Sequence, residues 1–175
     1  MSLFSPFPVL HTPRLVLRKL VDNDKEAVFK IRSNSVVNKF IDRKIPSDIS
    51  DVEDFIKLID ELVLKNEGIY WVIENNNEVI GSIGLRHFND NLSYAEIGYE
   101  LHPDAHGKGF MSEALKEVIQ FGFSSLNLNE IEAYTHKHNK GSINLLKRFN
   151  FKLRPNKKDN DFENNVIFGL LKNEQ

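Results

Sequence analysis

The run Glu96-Ile97-Gly98-Tyr99-Glu100-Leu101-His102-Pro103-Asp104-Ala105-His106-Gly107-Lys108-Gly109-Phe110-Met111-Ser112-Glu113-Ala114-Leu115 holds the residue types with the most chemical promise. Its first part reads as a strand. A turn with two glycines follows, and then a helix with Met111, Ala114, Leu115, Val118 and Gly122 at helical spacing. Amides without partners at a helix N-terminus, together with the positive end of the helix dipole, make an anion site. Glycines, which lack Cβ, let backbone approach a phosphate closely. A pyrophosphate suits Gly107 to Ser112, although a glycine pair before a helix also serves as a plain turn, and spacing alone leaves both readings open.

Two phosphate motifs fail here. A P-loop ending at Gly107-Lys108 needs Gly where His102 stands and Ser or Thr where Gly109 stands. The dinucleotide fingerprint fits as Gly107-x-Gly109-x-x-Ser112 except at its third site. It also needs repeated βαβ units, which makes a nicotinamide or flavin oxidoreductase a poor reading. Glu96 and Glu100 share strand parity and can face one cleft as proton acceptors, directly or through water, or simply as solvated carboxylates. His136-x-His138 and the pair His102 and His106 lack a third ligand at the usual spacing, so no metal is expected. With no Cys in the chain, a disulfide framework, a thiolate metal site and an acyl-cysteine intermediate are all excluded.

Strands and helices must position these groups. Arg14 to Leu20 alternates as a strand behind Pro13, and Asp22 reads as the cap of a helix carrying Ala27, Val28 and Ile31. A short helical piece can carry Val36, Val37 and Phe40. After Pro46, Ser50 or Asp51 begins a longer helix with Val52, Phe55, Ile56, Ile59, Leu62 and Val63 on one face. Tyr70 to Ile73, Val79 to Leu85 and Tyr94 to Leu101 form a meander, with Asn75-Asn76-Asn77 as its first turn. A strand at Ile131 to Thr135, a helix at Ser142 to Phe149, and strands near Phe151 to Leu153 and Val166 to Leu171 complete the order. This order predicts an α+β fold: a mixed, mostly antiparallel sheet of about seven strands flanked by about four helices, with one crossover between parallel neighbours.

The 175 residues suit one domain spanning 1–175, and 41% hydrophobic with 27% charged residues is ordinary for a soluble globular chain. Lys+Arg 23 against Asp+Glu 25, net −2, offers no general attraction to nucleic acid or anionic membrane. No apolar run approaches the roughly 18 residues of a membrane span, and Met1 to Leu10 lacks signal-peptide character, so a cytoplasmic location is expected.

Taken in order, Thr12-Pro13-Arg14-Leu15-Val16-Leu17-Arg18, Gly81-Ser82-Ile83-Gly84-Leu85, Glu96-Ile97-Gly98-Tyr99, Asn139-Lys140-Gly141-Ser142 and Leu145-Leu146-Lys147-Arg148-Phe149-Asn150-Phe151 resemble the GNAT superfamily of N-acetyltransferases. The likeness covers nearly the whole chain and is greatest to the ribosomal-protein N-terminal acetyltransferase (RimJ/RimL-like) branch. It implies the GNAT acyl-CoA N-acyltransferase fold, acetyl-CoA as cosubstrate, no metal, and a primary amine as acceptor, either a protein N-terminus or a small molecule, with the protein acting as monomer or homodimer. A coenzyme A-binding module without catalysis is the rival reading. The family's phosphate motif falls on His106, Gly109 and Met111, and departs from the usual residues at the first and last. Cofactor contacts are therefore expected from the amides of Gly107, Lys108, Gly109, Phe110, Met111 and Ser112, with His106 offering a ring N–H and Met111 turned into the helix packing.

By the same resemblance, pantetheine lies along Glu100 and Leu101 as an added strand, and the Leu101 amide faces the acetyl carbonyl like an oxyanion donor. The tyrosine acid of many relatives falls on Leu146. Ser142, one turn earlier on the same face, is assigned to the departing thiolate and Asn139 to coenzyme A, whereas helix capping is the plain alternative for both. Glu96 or Glu100 would take the amine proton. Asn150 replaces the family's Gly after this helix and is expected to tolerate the left-handed conformation. The acceptor-selecting surface is expected at Asn34 to Ser50 and Pro155 to Asn165.

Overall fold

The computed structural model describes residues Leu3–Gln175. Among these residues one mixed sheet has the order β1-β2-β3-β4-β5-β6-β8-β7. Its first strands are β1 (Leu10–His11), β2 (Val16–Lys19), β3 (Gly68–Asn75), β4 (Glu78–Arg86) and β5 (Tyr94–Leu101), followed by β6 (Glu130–His136), β7 (Lys152–Leu153) and β8 (Asn165–Leu171). The helices are α1 (Lys25–Arg32), α2 (Ser35–Asn38), α3 (Ile49–Leu64), α4 (Phe110–Gln120) and α5 (Lys140–Arg148). The eighth strand, β1, is two residues long, too short for alternation to reveal it. The fifth helix, α2, is a single turn started by Asn34, whose side chain accepts from the Val36 and Val37 amides.

Local chemistry explains most boundaries. Asp48 starts α3 by accepting from the Ser50 and Asp51 amides, two or three residues ahead of the expected start. The expected cap at Asp22 is absent. Residues Asp22–Asp24 form a 3-10 turn, and the buried Asp24 takes the Val21 amide and the Arg18 guanidinium instead. Asn76 and Asn77, with φ of 50° and 65°, make the two-residue turn between β3 and β4, the conformation that matches strand twist. Asn150 adopts φ 63° after α5, as its residue type allows.

Each face of the sheet buries its own apolar cluster. Trp71, Ile73, Ile83, Leu85, Ala95 and Ile97 pack beneath Ala114, Leu115 and Val118 of α4 and Leu145 and Leu146 of α5. On the other face, Leu20 and Val72 meet Val28 of α1 and Val52 and Ile56 of α3. The loop that α4 must cross to reach β6 passes through a π turn at Phe121–Ser125, which brings Gly122 against Ile131 of β6.

The feature that matters for function is the register of β5 and β6. They pair in parallel only through Tyr94↔Glu130, Ala95↔Ile131 and Glu96↔Glu132, after which the two strands part. On β5's other side, antiparallel pairing with β4 continues through Gly81↔Leu101.

Trp71 anchors the α4 side of this sheet, fully buried, with Nε1 donating to the Pro8 carbonyl at 2.7 Å and its ring edge-on to Phe121 at 5.3 Å. Trp71→Ala is expected to cost about 3–5 kcal/mol, read as a lowered midpoint in urea unfolding followed by circular dichroism. A loss under ~1 kcal/mol would contradict this packing.

Candidate active site

Beyond Leu101 the chain makes one 3-10 turn, Pro103–Ala105, started by His102, and then reaches the glycine turn. Gly107 and Gly109 both lie in the left-handed region, at φ 74° and 79°, and Gly109 is the N-cap of α4. Both positions need glycine for backbone reasons alone. A Cβ at Gly107 would meet no atom within 4 Å, so the turn borders open space there, whereas one at Gly109 would meet Arg14 Nη2 at 3.4 Å. Phe110 and Met111 are half-buried and pack against the core under α4.

Arg14 holds this turn in place. Its guanidinium donates to the Lys108 carbonyl at 2.9 Å and pairs with Glu113 at 2.8 Å, while the Thr12 hydroxyl and the Arg14 amide reach the other Glu113 oxygen. The same guanidinium stacks over Phe110 at 4.5 Å. Thr12-Pro13-Arg14 thus binds the edge of the sheet to the first turn of α4 and leaves an arginine beside the helix N-terminus.

His106 uses its ring differently from expectation. Nε2 donates to the Leu101 carbonyl at 2.9 Å, tying the end of β5 to the glycine turn. Because the His102 amide donates to the Ile80 carbonyl of β4, alternation along the strand turns the Leu101 and Tyr99 amides the other way, into the space that β6 vacates.

Asn139 and Ser142, both candidates, separate in role. Asn139 is the N-cap of α5, its side-chain oxygen accepting from the Ser142 amide at 3.1 Å. Ser142 caps nothing. Its hydroxyl lies 2.8 Å from the Tyr99 hydroxyl on β5. Burial pushes the Tyr99 phenol up to about 12 against the opposing effect of that hydrogen bond, so it stays neutral at physiological pH. Leu146, where relatives place a tyrosine, is fully buried in the core and leaves no room for a ring.

Glu96 and Glu100 do share one face of β5, but at opposite ends of the opening. Glu100 is buried between Arg32 of α1 and Arg43 of the segment after α2, with the Ser82 hydroxyl also on its Oε1. Glu96 stands where β5 and β6 still pair, 2.8 Å from His87 Nδ1, roughly 13 Å along the strand from Glu100. At that closed end, Glu132 of β6 is buried against the Tyr94 hydroxyl at 2.8 Å and Lys157. Phe40 lies against the His136 ring at 5.3 Å, so the segment after α2 reaches both strands across the open end. His136 Nδ1 accepts from the His138 amide, and His102 Nδ1 from the Asp104 amide. Among the described residues no three His, Asp or Glu side chains are grouped to hold a metal, and no helix is long and apolar enough to cross a membrane.

Sequence reasoning missed four of these groups. Arg14 and Tyr99 stood inside motifs already singled out, and strand parity could have put Tyr99 on the helix-facing side. Arg32 and Arg43 had no local signal, because only the placement of α1 and the path of the segment after α2 bring them to Glu100.

Such a split sheet above a glycine turn is testable by comparison. Residues 14–152 match the sequence model of the Acetyltransferase (GNAT) domain. This chain belongs to the GNAT family. It is 37% identical over 144 residues to the uncharacterized N-acetyltransferase p20 of Bacillus licheniformis, covering 81% of each chain. A putative ribosomal-protein-serine acetyltransferase from Vibrio cholerae shares the fold at TM-score 0.82 and 20% identity, covering 98% of this chain and 99% of that one. RimL, a ribosomal L7/L12 alpha-N-protein acetyltransferase in complex with coenzyme A, does so at TM-score 0.80 and 16% identity, covering 94% of this chain and 98% of that one. The GNAT chain described here is therefore an N-acetyltransferase with the expected fold.

The clamp on α4 has a pH signature. Burial alone would raise the Glu113 carboxyl, but Thr12 and the Arg14 amide and guanidinium outweigh it and hold the group below the ordinary glutamate range. A depressed folded pKa contributes stability above the unfolded value of about 4.3, and that contribution is lost as pH falls through the folded value. Glu113→Gln should melt a few degrees below wild type at pH 7, with the gap closing below about pH 4. An equal gap at pH 7 and pH 3 in thermal unfolding would contradict the assignment.

Proposed function

We propose that this N-acetyltransferase is one domain over 1–175 that transfers the acetyl group of acetyl-CoA to a primary amine by direct attack in a ternary complex. The observation that carries the reading is the parting of β5 from β6 directly ahead of the left-handed glycine turn. The opening offers strand amides for the pantetheine amides to pair with, and the start of α4 offers Gly107 to Ser112 amides, with Arg14 beside them, for the pyrophosphate. The lack of any atom where a Gly107 Cβ would sit supports close approach of a phosphate.

Acetyl-CoA supplies the thioester; the protein supplies orientation and proton handling. The Leu101 amide stabilises negative charge on the carbonyl oxygen when the amine adds, and His106 steadies that strand end through the Leu101 carbonyl. As the C–S bond breaks, the nitrogen loses one proton and the sulfur gains one. Ser142 donates to the sulfur, with Tyr99 donating to Ser142 Oγ so that the serine proton points outward. Asn139 fixes the start of α5 and hence Ser142, with its amide nitrogen available to coenzyme A. Glu96 is held by the His87 ring and lies near Arg86, and Glu100 is held between two arginines, so the amine proton leaves through water on that face rather than to a dedicated carboxylate. The Asn139-x-x-Ser142 start of α5 favours the RimJ/RimL-like branch and hence a protein N-terminal α-amine as acceptor, with a small-molecule amine as the alternative.

Acetyl-CoA should raise the melting temperature more than NAD or ATP does. Ser142→Ala should lower kcat by about ten- to a thousandfold with acetyl-CoA affinity nearly intact, and Tyr99→Phe by a smaller factor, read as thiol release at saturating acetyl-CoA. Because Asn139 rather than Ser142 caps the helix, the serine variant keeps its cap. A Ser142→Ala kcat within about twofold of wild type would end the proton-donor role.

A further inference from the structure

The face of β5 away from α4 and α5 carries an arrangement that acetyl transfer by itself does not require. Gly98 lies two residues before Glu100 on that face, and a Cβ built on it would meet no atom within 4 Å, so the sheet has a depression there. At one end of the depression stand Arg32, Glu100 and Arg43, with side chains 17%, 7% and 15% exposed. One carboxylate faces two guanidiniums, leaving one positive charge uncompensated in a largely dry place. The remaining demand is specific. Arg43 Nε donates to Asn38 and Nη1 to Glu100, but Nη2 is buried with no hydrogen-bond partner. Arg32 is already stacked over Phe55 at 3.9 Å. Lys39 lies over Phe40 at 5.2 Å and adds further positive charge on the roof segment that spans from Glu100 to His136. The opposing carboxylates, Glu96 and Glu132, sit at the closed end beside His87 and Lys157.

A buried donor without an acceptor is costly, as is a buried charge without a counterion, and one ligand oxyanion meets both demands once the partly exposed Arg43 guanidinium turns its covered Nη2 toward it. A cationic polyamine would bring further positive charge to the same place. We infer that the acceptor of this enzyme carries a carboxylate near its amine, and that Arg43, with Arg32 behind it, binds that carboxylate at the Gly98 depression. The inference rests on the reading that the amine enters on this face of the β5–β6 opening. Two sources share the chemistry: a free amino acid, and a peptide N-terminus with an acidic residue beside it.

Binding rather than turnover is the discriminating measurement, since it responds to Arg43 even if transfer fails for another reason. With coenzyme A saturating, isothermal titration compares L-alanine with L-alaninamide, and C-terminally amidated Ala-Asp with Ala-Asn, alongside spermidine. At least one carboxylate probe should bind about tenfold or more tightly than its carboxamide and more tightly than spermidine. That preference should vanish in Arg43→Gln and grow in Glu100→Gln, which leaves both arginines without their internal anion. Gly98→Val should weaken the same probe by filling the depression. The pair that shows the preference identifies the source. Equal binding within every pair, no binding of any probe, stronger binding of spermidine, or a preference that survives Arg43→Gln would overturn the inference and leave the three side chains as a structural tie for the roof. Absence of thiol release with normal Arg43-dependent binding would instead refute the proposed transfer alone.

Discussion

Everything in this molecule turns on two parallel strands that stop pairing. Three registered residue pairs join β5 to β6, and from Ile97 onward β5 keeps only its antiparallel neighbour. Backbone amides in a sheet interior need partners, so a strand edge opened in mid-sheet is a demand for a ligand that can behave as a strand. A pantetheine arm, with its two amides, has that character. The closed end is correspondingly reinforced, by Tyr94 and Lys157 on the buried Glu132 and by the polar contacts of Glu96.

The opening divides the chemistry between two faces. On one face α4 and α5 bring the glycine-turn helix start and the Ser142 hydroxyl toward β5, and each is held by a tie to another part of the fold. Arg14 and Thr12 fasten α4 through Glu113, and Asn139 fixes the first turn of α5 while Tyr99 orients Ser142. On the other face α1 and the segment after α2 bring two arginines over Glu100. The strand period of two separates these functions, since Tyr99 and Glu100 are neighbours in sequence and point to opposite sides. Under the proposed function, one strand thereby serves the thioester on one face and the amine on the other.

Histidine and glycine at the strand end show how small deviations from a family pattern are absorbed. His106 does not direct its Nε2 proton into the phosphate space; it donates to the Leu101 carbonyl and stiffens the corner that carries the Leu101 amide. The proposed anion site relies on backbone amides, indifferent to side-chain identity as long as Gly107 and Gly109 hold positive φ.

The sequence by itself determined the meander, the glycine turn, the helix that follows it, the crossover and the left-handed Asn150, because each rests on local preferences of period, turn chemistry and backbone freedom. It also put Ser142 and Asn139 at one helix start and both glutamates on one strand face. Tertiary structure alone decided what those groups touch. A 3-10 turn carries the start of α1 past Asp22 to Lys25, and Asp24 at the boundary spends its carboxylate on Arg18 of the preceding strand and on the Val21 amide instead of on the helix. Asn139 became the cap and Ser142 a partner of Tyr99, a contact 43 residues apart in sequence. Glu100 passed from proton acceptor to the centre of an arginine pair because Arg32 and Arg43, 68 and 57 residues away, converge on it. Period and propensity act over a few residues. A charge buried among others is settled only when distant segments arrive together, and there the low dielectric and the loss of water make each remaining partner matter.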